Sequence, residues 1–199
     1  MKMKIFVMVF CMAMWGSVPF AQPQDVSVAG AQKSAPAKII LMITEQNIES
    51  PQRAWWASEI DLSAVEASIA EQLIAAGIDV LEPSMLSEVI EKRPAFRRVG
   101  ISEKESIRLG NLGKADYVLV GKAVASAGSN VPYSSMRSCF AQVTAKLIQV
   151  KSGKVVAYLN SSGNSAHVDL IAGGREALVA AGQDLSLKII EALRKEGGR

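Results

Sequence analysis

Catalysis requires a nucleophile, a proton shuttle or a metal centre gathered at one place, and this chain offers few candidates. His167 is the sole histidine in 199 residues, which excludes a multi-histidine metal site. Asp169 gives it only a weak acidic partner. Cys139 could serve as a nucleophile with His167 as its base, the pairing of a thiol hydrolase. Against that, Cys139 alternates with Ala141, Val143, Ala145 and Leu147. That period turns the thiol towards a core, where free cysteine commonly lies. Ser161-Ser162-Gly163 lacks the flanking-glycine pattern of a nucleophile elbow. Gly173-Gly174 stands before an expected helix whose N-terminus could hold an anion. Without Walker-type residues the pair reads as an eased turn. Glu45, Glu49, Glu59 and Asp61 flank one loop and read as solvated carboxylates. No catalytic, metal or cofactor residues are assigned, and the chain reads as non-enzymatic.

The residues suited to binding are aromatic. Trp55 and Trp56 sit together in a long, otherwise polar stretch, Glu45 to Ile60. Tryptophan buries a large area with few rotatable bonds, so it is enriched at binding hot spots. Adjacent residues do not share a direction on a regular element, so at least one ring can be open to a partner. The rival reading packs a ring onto the sheet edge or the first helix, and the sequence leaves the exposure of Trp55 and Trp56 open. Arg53 adds a cation able to pair or to lie over a ring. Tyr133, in Asn130-Val131-Pro132-Tyr133, is a second candidate anchor. The partner-binding set is therefore Arg53, Trp55, Trp56 and Tyr133, on loops carried by a rigid scaffold.

The scaffold follows from hydrophobic period and punctuation. Lys38 to Thr44 is a continuous apolar run suited to a strand buried on both faces. Leu62, Val65, Ile69 and Leu73 recur at helical spacing, with Ser63 and Glu66 at capping-box spacing and Gly77 as the stop. Ile78 to Leu81 reads as a strand, so strand–helix–strand implies a parallel crossover. A second helix is expected from Ser84, burying Met85, Leu86, Val89 and Ile90 and ending at Pro94. A third runs from Ser102, with Glu105 at capping-box spacing, to Gly113. Strands follow over about 116–126 and 136–150, separated by a polar loop from Ala127 to Ser135. Lys151 to Lys154 is a hairpin turn with Gly153 at the position needing positive φ. The return strand spans 155–160, a polar loop 161–174, and a long helix closes the chain at about Lys195. The order β-α-β-α-α-β-β-β-α predicts a single α/β (α+β) domain, a mixed sheet packed by helices.

Ahead of that domain, Lys2 and Lys4 precede eleven apolar residues, Ile5–Trp15. A bilayer span needs about 20, so the run suits a secretory signal peptide cut after Ala21. Residues 22–37 read as a flexible leader and 38–196 as the domain. Loss of the 2 signal lysines lowers the formal charge from +3 to +1. That balance demands neither nucleic acid nor an anionic membrane. The cluster Lys92, Arg93, Arg97 and Arg98 reads as a solvated loop. Cys11 leaves with the signal peptide, so the mature chain has no second cysteine for an internal disulfide.

Two segments carry a resemblance. Leu109 to Ala115 followed by Asp116-Tyr117-Val118-Leu119-Val120-Gly121-Lys122, and Ala145 to Val156 with its Val-Lys-Ser-Gly-Lys turn, resemble a family of bacterial envelope α/β domains. That family includes CsgG, the TolB amino-terminal domain, the FlgT middle domain and LpoB. The resemblance spans about 38–196. It implies a periplasmic, non-enzymatic module that docks on other envelope proteins during assembly. CsgG and LpoB carry a lipidated N-terminal cysteine that has no counterpart here. The Ala127–Ser135 segment is too short and polar for the membrane hairpins of CsgG. The expected function is an exported periplasmic scaffold or accessory protein binding an envelope protein through the 45–60 loop, with no stable membrane span and with self-association left open. The alternative is a small-ligand or glycan-binding module in which Trp55 or Trp56 stacks on the ligand.

Overall fold

The computed structural model describes residues 36–57 and 63–197. The expected signal peptide, nearly all of the leader, and Glu59 and Asp61 lie outside the described residues. Five strands form one sheet in the order β2-β1-β3-β4-β5. They are β1 (Lys38–Gln46), β2 (Asp79–Leu81), β3 (Tyr117–Asn130), β4 (Arg137–Gln149) and β5 (Val155–His167). β1 pairs parallel with both β2 and β3, and β3-β4-β5 is an antiparallel meander. The helices are α1 (Ala64–Ala75), α2 (Ser87–Glu91), α3 (Glu103–Leu112) and α4 (Leu170–Gly197). This is the mixed sheet, α/β class and element order read from the sequence.

The apolar run of β1 is buried because both of its faces are covered. Ile39, Leu41 and Ile43 enter one core with α1, α4 and the inward residues of β3 and β4. Ile40 and Met42 enter a second core with Phe96, Ile101 and Leu109. At α3, Ser102 and Glu105 form a complete capping box, each side chain bonded to the other's backbone N–H. Ser102→Ala should therefore cost about 1 kcal/mol, measurable as a lower urea midpoint with an unchanged slope. Gly153 takes φ 69° in the β4-β5 turn, as its place there requires.

Several expected element boundaries need correction, among them the start of the last helix, which is Leu170 and not beyond Gly174. β3 continues through Asn130 rather than stopping near 126, which shrinks the Ala127–Ser135 loop to a tip at 131–136. β5 continues to His167, so 161–167 is strand and not loop. In both places serine, glycine and asparagine suggested turn chemistry, but pairing with the regularly alternating β4 overrides local propensity. In β5 the small residues have a packing reason. A Cβ on Gly163 would lie 2.1 Å from the Ala177 carbonyl of α4. The second helix is also shorter than expected. A 3-10 turn at Pro83–Leu86 precedes α2, and its tighter winding leaves Met85 exposed, not buried.

Candidate functional site

At the end of the sheet where β1 finishes, the chain turns back on itself. Glu45 and Arg53 exchange two backbone hydrogen bonds of 3.1 and 2.7 Å, which folds residues 47–57 against the strand. Asn47 fixes this loop to the first turn of α4 by donating to the Ile171 carbonyl at 3.0 Å. On the opposite face Trp55 drops into the second core, only 1% exposed, and its indole N–H donates to the Arg98 carbonyl at 3.2 Å. Thr44 donates to the neighbouring Val99 carbonyl at 3.2 Å.

The two tryptophans differ in burial. Trp55 is a core residue and offers no surface to a partner or a sugar. This corrects its assignment as an anchor, and the physical reason is the hydrophobic gain from burying a whole indole whose N–H is satisfied. Trp56 stands edge-on to it, 5.7 Å between centroids at 87°, and is half-buried. Arg53 is half-buried beside them. Tyr133 is not gathered with these three. Gln46 ends the β1 pairing opposite Val124, and β3 runs six residues further to Asn130, about 20 Å at strand rise. Tyr133 thus sits at the tip of a projecting hairpin.

That tip is built to hold the ring outward. The Val131 carbonyl accepts from Ser134 N–H at 3.2 Å, with Pro132 second and Tyr133 third in the turn. Tyr133 has φ 58°, the sign that a type II turn demands at its third position and that glycine or asparagine normally supplies. Its side chain is fully exposed. A bulky residue in the left-handed region costs about 1–2 kcal/mol, and such strain concentrates at functional positions.

The remaining candidates read as structural. Cys139 is completely buried, and its thiol lies 3.9 Å from the Arg137 carbonyl. His167 Nδ1 accepts the Asp169 N–H at 2.9 Å. The Asp169 carboxylate in turn accepts from Ala172 N–H at 2.7 Å, capping α4. Gly173 and Gly174 lie inside α4, both buried, and not ahead of it as expected. A Cβ on Gly173 would meet Cys139 Sγ at 2.7 Å, and one on Gly174 would meet Asn47 Oδ1 at 2.0 Å. Their purpose is close packing. Among the described residues, no group of three or more His, Cys, Asp and Glu could hold a metal, and no helix is long and apolar enough to cross a membrane.

Sequence reasoning missed a second surface. The β3-β4-β5 face opposite α4 is uncovered over much of its length, and it carries Phe140 and Tyr158, 49% and 71% exposed. The signal was present in β4, whose inward set was used while its outward set, Phe140, Gln142, Thr144 and Lys146, was not.

No protein-family model and no curated protein sequence matches the chain. Several solved structures are similar to it in outline. Lipoprotein GNA1162 from Neisseria meningitidis shares 14% identity over 82% of this chain and 100% of that one, at a TM-score of 0.44. PelC from Paraburkholderia phytofirmans, crystallised as a dodecamer, shares 19% over 80% and 88%, at 0.40. The LpoB C-terminal domain from Salmonella enterica shares 16% over 70% and 87%, at 0.38. The likeness is one of outline, and LpoB is among the proteins that the sequence motifs resemble. The likeness to CsgG, TolB and FlgT rests on those motifs alone.

Proposed function

We propose that this chain is an exported, non-enzymatic accessory protein of the periplasm that docks on another envelope protein through the projecting β3-β4 hairpin and the 47–57 loop at its base. The observation that carries this reading is Tyr133, a fully exposed aromatic held at φ 58° on a hairpin tip. A tyrosine there contributes nothing to the core and strains the backbone, so its value lies outside the chain. Trp56 and Arg53, half-buried at the base, would form the polar and aromatic rim. Exposed Val99, Val168 and Ile171 lie on the two sides of the same end and add the apolar area an interface core uses.

Tyr133→Gly separates binding from folding. Glycine removes the ring and relieves the strained φ, so stability should hold or rise by up to about 1 kcal/mol. Recovery of the partner with tagged protein from solubilised envelopes should fall at least about tenfold, the loss of one modest hot spot. Unchanged recovery with Tyr133→Gly would remove the hairpin tip from the interface.

A further inference from the structure

We infer that the open face of the β3-β4-β5 sheet is a binding platform for an acidic oligosaccharide. The inference goes beyond the docking role and rests on different residues. On this face the strand register aligns four successive cross-strand rows, from Val120–Lys146–Tyr158 at one end to Ser126–Phe140–Asn164 at the other. Alternate residues of a strand are about 6.6 Å apart, so the rows run for about 20 Å. Two adjoining clefts of about 400 and 480 Å³ lie along them, the first walled by Ile101 and Glu103 ahead of and within α3.

The chemistry of the rows selects the ligand. Gln142, Asn160 and Asn164 point three side-chain amides at solvent, each able to donate and accept. Between them stand serine and threonine hydroxyls. Such groups match the alternating donors and acceptors of sugar hydroxyls. Phe140 and Tyr158, exposed at opposite ends of the rows, offer flat faces for the C–H side of a pyranose ring. The apolar members fall in two groups, Val120 with Tyr158 and Val124 with Phe140, and the polar row Lys122–Thr144–Asn160 separates them, so the face lacks the contiguous apolar centre of a protein interface.

Charge sets the sign. The sequences of β3, β4 and β5 contain no aspartate or glutamate. The one carboxylate walling the cleft, Glu103, is engaged with Lys146 at 2.6 Å, and Lys146 also lies 5.5 Å from the Tyr158 ring centroid. Lys122, central on the face and exposed, makes no ion pair among the described residues. An uncompensated cation beside amides and hydroxyls fits a carboxylate carried on a polyhydroxyl chain. Single-stranded nucleic acid would call for a cation at successive phosphates, and this face has one free lysine.

The test is an NMR titration of the isotopically labelled domain with uronic-acid hexasaccharides (mannuronate, guluronate and galacturonate), and in parallel with cellohexaose and hexathymidylate. The expected result is saturable shifts for at least one uronate, confined to β3, β4 and β5, with cellohexaose and hexathymidylate weaker by about tenfold or more. Tyr158→Ala and Lys122→Ala should each weaken uronate binding about tenfold while the spectra keep the dispersion of the folded domain. Absence of shifts with every uronate, shifts centred elsewhere, equal or tighter binding of the other two probes, or insensitivity to both substitutions would overturn the inference.

Discussion

Gly163→Ala should destabilise the domain by about 3 kcal/mol or more, the upper range for overpacking a tight interface. Gly163 lies on the face of β5 covered by α4, and a Cβ there would stand 2.1 Å from the Ala177 carbonyl oxygen and 2.6 Å from the Ala181 nitrogen. Both are backbone atoms of α4, so no side chain can rotate away. The helix would have to lift, and Leu178, Leu185 and Ile189, all fully buried, would lose contact with the sheet. Thermal or urea denaturation measures the loss. Gly100→Ala is the control, since nothing lies within 4 Å of the Cβ it would add, and its effect should stay within about 0.5 kcal/mol.

The second large effect lies at Glu66, which is 2% exposed. β2 pairs with β1 only as far as Ile40 opposite Leu81, so the β1 edge beyond that point has no strand beside it. The Glu66 carboxylate fills the gap by accepting the Ile43 N–H at 3.0 Å. The favour is returned from the strand, where Glu45 accepts from Ala64 and Val65 N–H at 3.3 and 2.9 Å, at the positive end of α1. Glu45 is thus a buried capping carboxylate, not the solvated one its loop-edge position suggests. Glu66→Ala leaves a buried donor unpaired and a void, and should cost about 3 kcal/mol. Glu66→Gln keeps an acceptor oxygen and should cost markedly less. Equal losses for the two, in denaturation midpoints, would mean that the Ile43 bond does not carry the effect.

These two residues also show what could be read in advance. The period of β1 and the capping spacing of Ser63 and Ser102 are local properties, so the strand, both helix starts and the class of fold were legible. Glu66 was recognised as a capping-box residue, but its bond to β1 depends on where β2 ends, which is a tertiary fact. Gly163 was read as loop composition because a glycine required by a neighbouring helix looks, in sequence, like one required by a turn. At the candidate site the Trp55-Trp56 pair is visible in the sequence as two aromatics in a polar stretch, yet no local signal decides which ring enters the core. Tyr133 was legible as an aromatic in a Pro-containing turn; its positive φ was not. The open sheet face went unread because alternation was followed only on its buried side.

The central claim, that the hairpin tip docks on an envelope protein, is most directly tested by placing a photo-crosslinking amino acid at position 133 in living cells, with position 151, on the β4-β5 turn, as the comparison site. The prediction is one dominant adduct with an envelope protein from position 133 and none of that product from position 151. Export of the protein with no protein adduct at 133, or the same adducts from both positions, would contradict it.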